Sequence, residues 1–196
     1  KVHSIRTSGF GMLDVRSVLS NREAKGLCET WQEYVFLNLD RHVKICHDIG
    51  AISREESTRI KSVFEQTQHL LAYVTPSLLH GDLGNHNIFT DGQRITAIID
   101  WEDCLSGDAV FDIACWGTFY GNDEWREDFL AGYGSLRQLP EDFNLRYWLY
   151  YLRVALAKTV HRYRFKYQDR PYSLPASHRI QKGLQNVERV VGNRAE

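Results

Sequence analysis

Apolar residues recur at helical spacing along most of this chain. Between Thr30 and Asp48 they fall on roughly one face, which predicts an amphipathic helix. Ser53 followed by Glu56 forms a capping box, the pattern that opens a helix, and this second predicted helix continues to about Val74. Pro76 is expected to end it, because a proline ring crowds the preceding residue out of helical geometry.

Four more helices are predicted downstream, so the chain is expected to be mainly helical. The longest carries a dense series of aromatic residues, which favours a core helix over the alternative of an aromatic platform for a substrate. The predicted ranges are Asp108 to Tyr120, Asp123 to Tyr133, Glu141 to Arg164 and Ala176 to Val191.

One stretch predicts a β-hairpin. Residues 87–90 and 94–99 read as two strands, and Asp91-Gly92 between them is a strong turn signal. A hairpin brings its open ends together, so Asn87 at the start of the first strand and Asp100 at the end of the second are expected to lie near one another. Predominant helix with one small hairpin gives an α+β fold that is mainly α.

The residues around this hairpin suit phosphoryl transfer. His80, Asp82 and Asn87 form the pattern HxDxxxxN, and Asp100 adds a second acidic residue within reach. A carboxylate that orients the attacking hydroxyl and can take its proton suits Asp82, while hard oxygen ligands for Mg²⁺ suit Asn87 and Asp100. His80 is interpreted as a structural residue that holds the loop. The alternative, an Asn and Asp pair that caps turns, explains these residues singly but not their spacing.

A wider set of residues carries a family resemblance: His80-Gly81-Asp82, Asn87, Ile99-Asp100-Trp101-Glu102, Gly107-Asp108 and Asp112-Ile113-Ala114. The segment 78–117 that contains them resembles the catalytic core of the aminoglycoside phosphotransferase family, in the protein-kinase-like superfamily with choline and homoserine kinases. The resemblance implies that Asp82 is the catalytic aspartate and that Asn87 and Asp100 hold Mg²⁺ and, through it, ATP. It also implies that Asp112 is a buried aspartate that braces the loop.

The resemblance extends more weakly over the rest of the chain. The stretch from His3 to Gly11 resembles the one that enters the larger lobe in this family, so residues 1–196 are expected to form that larger, C-terminal lobe. Trp101-Glu102 stands where protein kinases carry Phe-Gly, which points toward small-molecule kinases.

The smaller, nucleotide-clamping lobe has no counterpart in the sequence pattern. No phosphate-pairing lysine is recognised, and Gly9-Phe10-Gly11 has Asp14 where the third glycine of GxGxxG would stand, so this stretch is interpreted as a flexible loop. The N-terminal lobe is therefore expected to be absent. Because the chain starts at Lys1, we expect a fragment of a larger protein, with the activity belonging to the intact protein.

The phosphate acceptor is predicted only by class. The resemblance implies that acidic residues of the larger lobe bind cationic acceptors such as aminoglycosides or choline, and an aromatic ring could stack on a sugar or quaternary amine. A kinase for choline, homoserine or a sugar stays open, and so does a catalytically incomplete lobe that acts as a binding or scaffold module. The candidate substrate residues are Trp101, Glu102, Asp103, Tyr120 and Glu124.

Composition disfavours some classes of binding partner and indicates the cellular compartment. The chain has 196 residues, is 43% hydrophobic and carries a net charge of −1, which argues against a nucleic-acid or anionic-membrane partner. Its cysteines show no CxxC pairing, so reduced thiols in a cytoplasmic protein are favoured over disulfides. A zinc site built from His42, Cys46 and His47 is disfavoured, because scattered His and Cys on a helix are more often ordinary surface and core.

Overall fold

Short antiparallel strands form two sheets in the part of the chain that the structure describes. The structure is a computed structural model that describes residues 1–119, 123–167 and 174–193, with the backbone alone for 123–125. One sheet has the strand order β2-β1-β6-β3, and the other pairs β4 with β5. The strands are β1 (Phe10–Leu13), β2 (Gly26–Cys28), β3 (Ser77–Leu79), β4 (Ile88–Thr90), β5 (Ile95–Ile98) and β6 (Leu105–Gly107).

Helices make up most of the remaining described chain, which confirms the mainly α, α+β fold class. The four downstream helices are confirmed, each within two residues of its predicted ends. Single 3-10 turns lie at Val2–Ser4, Gln68–Leu71 and Asn85–Asn87. The α-helices are α1 (Val15–Asn21), α2 (Trp31–Phe36), α3 (Leu39–Asp48), α4 (Arg54–Thr67), α5 (Ala109–Phe119), α6 (Asp123–Gly134), α7 (Phe143–Arg164) and α8 (Ala176–Gly192).

The predicted β-hairpin is confirmed. Ile88 lies opposite Ile98 and Phe89 lies opposite Ala97 in an antiparallel pair. The carboxylate of Asp91 closes the turn by accepting hydrogen bonds from the backbone N–H groups of Gln93 and Arg94, each at 3.0 Å. This local capping explains why the turn signal was reliable.

The interpretation of Gly9-Phe10-Gly11 as a flexible loop is wrong. Phe10–Leu13 is strand β1, which pairs with β6 through Gly11 opposite Ser106 and with β2 through Phe10 opposite Cys28. Gly11 has a φ of +79°, and a Cβ there would lie 2.6 Å from the Tyr34 ring, so the glycine permits a close approach. Its partner on β6, Ser106, lies 95 residues from Gly11, beyond the reach of a local sequence pattern.

The single helix predicted from Thr30 to Asp48 is divided in two. The α2 helix ends at Phe36 and α3 begins at Leu39, because Asn38 between them takes a left-handed conformation with φ of +61°. Asparagine adopts this conformation more readily than most residues, so it ends a helix without interrupting the apolar pattern around it.

The capping box that opens α4 is confirmed. The Ser53 hydroxyl accepts a hydrogen bond from the Glu56 backbone N–H at 3.1 Å, and the Glu56 carboxylate accepts one from the Ser53 backbone N–H at 2.7 Å. The predicted end near Val74 is wrong, because α4 ends at Thr67 and a 3-10 turn follows. Pro76 therefore lies well beyond the point at which the helix stops.

The chain folds as two compact units, each with its own buried side chains. One unit comprises residues 1–39 and 66–116, and the other comprises 40–65 and 117–196. In the first, Trp31 packs edge-on against Phe111 at 5.5 Å between ring centroids. In the second, the predicted core role of the α7 aromatics is confirmed, since Tyr147, Tyr150 and Tyr151 are at most 2% exposed.

No helix in the described ranges is both long enough and apolar enough to cross a membrane.

Candidate active site

The predicted catalytic residues lie on one loop between β3 and β4. His80 and Asn87 are buried at its two ends, and the Asp82 side chain between them is 30% exposed. The 3-10 turn Asn85–Asn87 leads directly into β4. The loop therefore presents one carboxylate to solvent from a backbone held at both ends.

His80 uses both ring nitrogens to hold this loop. Its Nε2–H donates to the Ile99 carbonyl at 2.8 Å, and its Nδ1 accepts from the Asp82 backbone N–H at 3.3 Å. A carbonyl can only accept and a backbone N–H can only donate, so the bonds require the neutral tautomer with hydrogen on Nε2. The ring is thus engaged in structure, which supports the predicted structural role over that of a general base.

Asp112, on the first turn of α5, binds the same end of the loop. Its carboxylate accepts from the His80 backbone N–H at 2.7 Å and from the Gly81 backbone N–H at 2.9 Å. The Nε2 atom of His3 lies 2.9 Å from the same carboxylate. Because Asp112 is 1% exposed, these partners replace the water that its charge would otherwise require. The contacts are those expected of a residue that braces the loop.

Gly81 allows the loop to pass close to the chain that follows β5. It has a φ of +83°, and a Cβ at this position would lie 2.0 Å from the Asp103 carbonyl oxygen. No side chain fits that space without a shift of the backbone, so the glycine is a geometric requirement of the loop.

The open end of the hairpin brings Asn87 and Asp100 together through the backbone. The Ile99 N–H donates to the Asn87 carbonyl at 2.9 Å. Asp100 follows Ile99 directly, so its backbone lies close to that of Asn87. The Asn87 amide also donates to the Asp82 carbonyl at 3.1 Å, which links the two predicted functional residues of the loop. Asp100 is exposed and has a left-handed φ of +65°.

The residue types at this position fit Mg²⁺. Asn87 donates through Nδ2 to Asp82, which leaves Oδ1 as the coordinating atom of its amide, and Asp100 offers carboxylate oxygens. Mg²⁺ prefers such oxygen ligands and in phosphoryl-transfer sites is commonly held by one or two carboxylates together with substrate phosphates. Within the described ranges no cluster of three or more His, Cys, Asp or Glu could hold a metal ion, so a site here would rely on that sparse protein donor set.

Three of the five candidate substrate residues lie next to the loop. Glu102 and Asp103 are exposed, whereas Trp101 is half-buried, donates its indole N–H to the Ile98 carbonyl at 2.9 Å and packs 4.7 Å from the His80 ring. Trp101 therefore has a structural contact that limits its ring as a stacking surface. Tyr120 and the side chain of Glu124 lie outside the described residues.

Sequence reasoning missed several contacts that hold the loop. Trp116 donates its indole N–H to the Asn85 side-chain oxygen at 2.9 Å, and the Cys115 thiol donates to the Gly81 carbonyl at 3.3 Å. These residues follow Asp112 by three and four positions, the spacing of one helix face, so the predicted helix could have indicated them. His3 gave no such signal, because it lies 109 residues from Asp112.

Two of the residues considered for a zinc site, Cys46 and His42, are in surroundings that oppose metal binding. Burial raises the pKa of the Cys46 thiol to about 12, which opposes the thiolate that zinc requires. The His42 Nδ1 lies 3.2 Å from an Arg153 guanidinium nitrogen and accepts its hydrogen bond. All the cysteines are free thiols: Cys28, Cys46, Cys104 and Cys115.

A mainly helical chain with a braced HxDxxxxN loop and a short hairpin defines a protein-kinase-like fold. The family profile described as "Phosphotransferase enzyme family" matches residues 29–148. The chain belongs to this family.

Curated relatives are antibiotic kinases. The chain is 28% identical over 114 residues to hygromycin-B 4-O-kinase from Escherichia coli, a match that covers 56% of this chain and 30% of the relative. It is 30% identical over 97 residues to viomycin phosphotransferase from Streptomyces vinaceus, covering 47% and 31% respectively. The matches thus take in less than a third of each relative's length.

Solved structures share the fold. A thermostable mutant of aminoglycoside phosphotransferase APH(4)-Ia, in ternary complex with AMP-PNP and hygromycin B, matches with a TM-score of 0.61 and 21% identity. The match covers 92% of this chain and 58% of that one. This likeness supports the kinase-like fold of the described chain.

Proposed function

We propose that the intact protein is an ATP- and Mg²⁺-dependent phosphotransferase that transfers the γ-phosphate to a hydroxyl group of a small molecule. The observation that carries this proposal is the loop itself. Asp112 fixes the backbone before Asp82, and the Asn87 amide fixes the backbone of Asp82 from the other side. The backbone of Asp82 and the proposed metal ligand Asn87 thus belong to one hydrogen-bonded arrangement.

Asp82 is proposed to orient the acceptor hydroxyl and to take its proton. Its carboxylate is partly exposed, so a substrate can reach it, and its backbone does not depend on a substrate for its position. Since phosphoryl transfer depends chiefly on positioning and charge stabilisation, a fixed carboxylate is what this role requires. His86 Nε2 lies 3.9 Å from the Asp82 carboxylate.

Asn87 and Asp100 are proposed to hold the metal ion and, through it, ATP. When bound, Mg²⁺ neutralises charge on the nucleotide phosphates. The protein's part would be to present the Asn87 amide oxygen and the Asp100 carboxylate to the ion. In support, the paired strands join the backbones of Asn87 and Ile99, one residue before Asp100. Residues 1–196 are proposed to form the larger lobe of this enzyme, with the catalytic core at 78–117.

The acceptor is proposed to be an aminoglycoside-like compound or another small hydroxylated metabolite. Both curated relatives are named for kinase activity toward an antibiotic. Glu102 and Asp103 are exposed beside the loop, where their charge would favour a cationic acceptor. The phosphotransferase proposal and the alternative of a non-catalytic binding module differ in one measurable respect, which is acceptor-dependent ADP formation.

The test is an ADP-formation assay on the full-length gene product with Mg-ATP and a panel of aminoglycosides, choline, homoserine and sugars. Replacing Asp82 with Asn keeps the size of the side chain and removes the proton acceptor. We expect the rate with the best acceptor to fall by roughly 10²- to 10⁴-fold.

Asp91→Asn is the matched control, because Asp91 lies at the opposite end of the hairpin, in its turn. It should leave the rate close to that of the wild type. A broad panel with no acceptor-dependent ADP would refute the proposed function, and an Asp82→Asn variant with the wild-type rate would refute the role of Asp82.

A further inference from the structure

One face of α5 fastens the catalytic loop at both of its ends. Asp112 accepts from the backbone at His80 and Gly81, and Cys115 donates to the Gly81 carbonyl. Trp116, on the next position of the same face, reaches past this end and donates to the Asn85 side chain at 2.9 Å. The helix therefore holds the start of the loop through Asp112 and its far end through Trp116.

The Trp116 contact acts on the turn that carries the proposed metal ligand. Asn85 is the first residue of the 3-10 turn Asn85–Asn87, and the Asn87 backbone N–H closes this turn by donating to Gly84 at 2.9 Å. The Ile88 backbone N–H also donates to the Asn85 carbonyl, so Asn85 and Asn87 lie within one hydrogen-bonded turn of three residues. Movement of Asn85 would therefore pass to Asn87 two positions later.

The bond is better explained by positioning than by packing alone. Trp116 is 5% exposed, so its indole N–H needs an acceptor, but that need could be met by any buried carbonyl. The acceptor is instead the side chain of Asn85, a residue that is exposed. An exposed amide contributes little to the core, so the contact orders the turn more than it stabilises the fold.

We propose that Trp116 is a positioning residue for the divalent cation, acting through Asn85 on the orientation of Asn87. This inference rests on the proposed function only for the metal site at Asn87 and Asp100. It assigns to Trp116 and Asn85 an effect on metal affinity that is separable from phosphate transfer.

The test measures Mn²⁺ binding to the full-length protein in the presence of ADP, using the paramagnetic resonance signal of free Mn²⁺. Mn²⁺ takes the same oxygen ligands as Mg²⁺. Trp116→Phe removes the indole N–H and keeps an aromatic ring, and Asn85→Ala removes the acceptor from an exposed position. The bond already exists before the ion binds, so its loss weakens binding through the lost ordering of the turn, by at most the about fivefold that corresponds to one hydrogen bond of about 1 kcal/mol.

Two further variants and a double substitution sharpen the measurement. The double variant should bind no more weakly than either single variant, because each removes the same bond. Gln93→Ala truncates another exposed amide, in the hairpin turn, and should leave Mn²⁺ binding unchanged. Asp100→Asn removes a proposed ligand and should weaken binding most.

The outcomes separate this inference from the proposed function. Mn²⁺ affinity that is unchanged in Asn85→Ala would overturn the positioning role, even if Trp116→Phe weakened binding through lost packing. Wild-type protein that binds no Mn²⁺ would overturn it as well. Weakened Mn²⁺ binding in both variants, with no acceptor phosphorylated by the wild type, would support the positioning role while refuting the phosphotransferase activity.

Discussion

Gly81 shows how a single backbone position shapes the candidate site. Its φ of +83° already disfavours a side chain, and a Cβ would meet the Asp103 carbonyl at 2.0 Å. We expect Gly81→Ala to displace the loop and to abolish most transfer activity. The free energy of unfolding should fall by more than the left-handed backbone strain alone would cause, which is about 1–2 kcal/mol. Chemical denaturation and the ADP assay on the full-length protein measure the two effects.

Gly92 provides the matched control for that substitution. It has a φ of +90° in the hairpin turn, but no atom lies within 4 Å of a Cβ built there. Gly92→Ala should therefore show the backbone strain alone and keep the activity. Equal losses in the two variants would contradict the importance of the close approach to Asp103.

The individual site residues differ in how far the sequence could predict them. The proximity of Asn87 to Asp100 followed from a hairpin whose turn signal is local. The partners of Asp112 did not follow from any local pattern, because His3 and the loop lie 109 and about 32 residues away. Spacing along the chain predicts neighbours within one helix or hairpin, and contacts between elements need the fold.

The α4 helix offers a test of stability at the scale of an element. The side chains of Ser53 and Glu56 each accept a hydrogen bond from the other residue's backbone N–H. The bond from the Ser53 N–H is the main reason that the pKa of the Glu56 carboxyl is lowered. Ser53→Ala should lower the free energy of unfolding by about 0.5–2 kcal/mol, because it leaves a helix N–H without its acceptor. The midpoint of urea unfolding measures this change.

Thr58→Ala controls for the effect of alanine itself. Thr58 is exposed in the same helix, and its hydroxyl bonds to the Arg54 carbonyl one turn earlier. Alanine favours a helix interior more than threonine does, so this variant should be neutral or slightly more stable. A comparable loss in both variants would argue against the cap as the cause.

Elements were predicted best where their signals were internal. The capping box correctly marked the start of α4, and the periodic stretches of α5 to α8 gave bounds that were correct to within two residues. The division between α2 and α3 depends on the left-handed backbone of Asn38, which leaves the apolar spacing intact. Strand β1 pairs with β2 and with the distant β6, and neither pairing is visible in its short glycine-rich sequence, which therefore resembled a loop.

The stability of the folded chain should depend on pH through His42. Burial and the nearby Arg153 and Arg41 lower the pKa of this histidine from 6.5 to about 4. Between these values the unfolded chain binds a proton that the folded chain excludes, so the free energy of unfolding rises with pH in this window. Stability should therefore fall as pH drops from about 6.5 toward 4.

His42→Gln tests the contribution, since glutamine can still accept a hydrogen bond from Arg153. The variant should show a shallower loss of stability across this window, as followed by thermal unfolding at a series of pH values. His178→Gln, at an exposed position on α8, should retain the wild-type slope. An unchanged slope in His42→Gln would contradict the assignment.

The loop of the candidate site takes its shape from partners that lie far along the chain. His80 and Gly81 donate to a carboxylate 32 and 31 residues later, and that carboxylate also contacts a histidine 109 residues before it. In folding terms these contacts have high contact order and must overcome the entropy of closing long loops. We therefore expect the geometry of this loop to form only once β3, α5 and the N-terminal turn have assembled, and to be lost with that cooperative unit rather than by fraying of one loop.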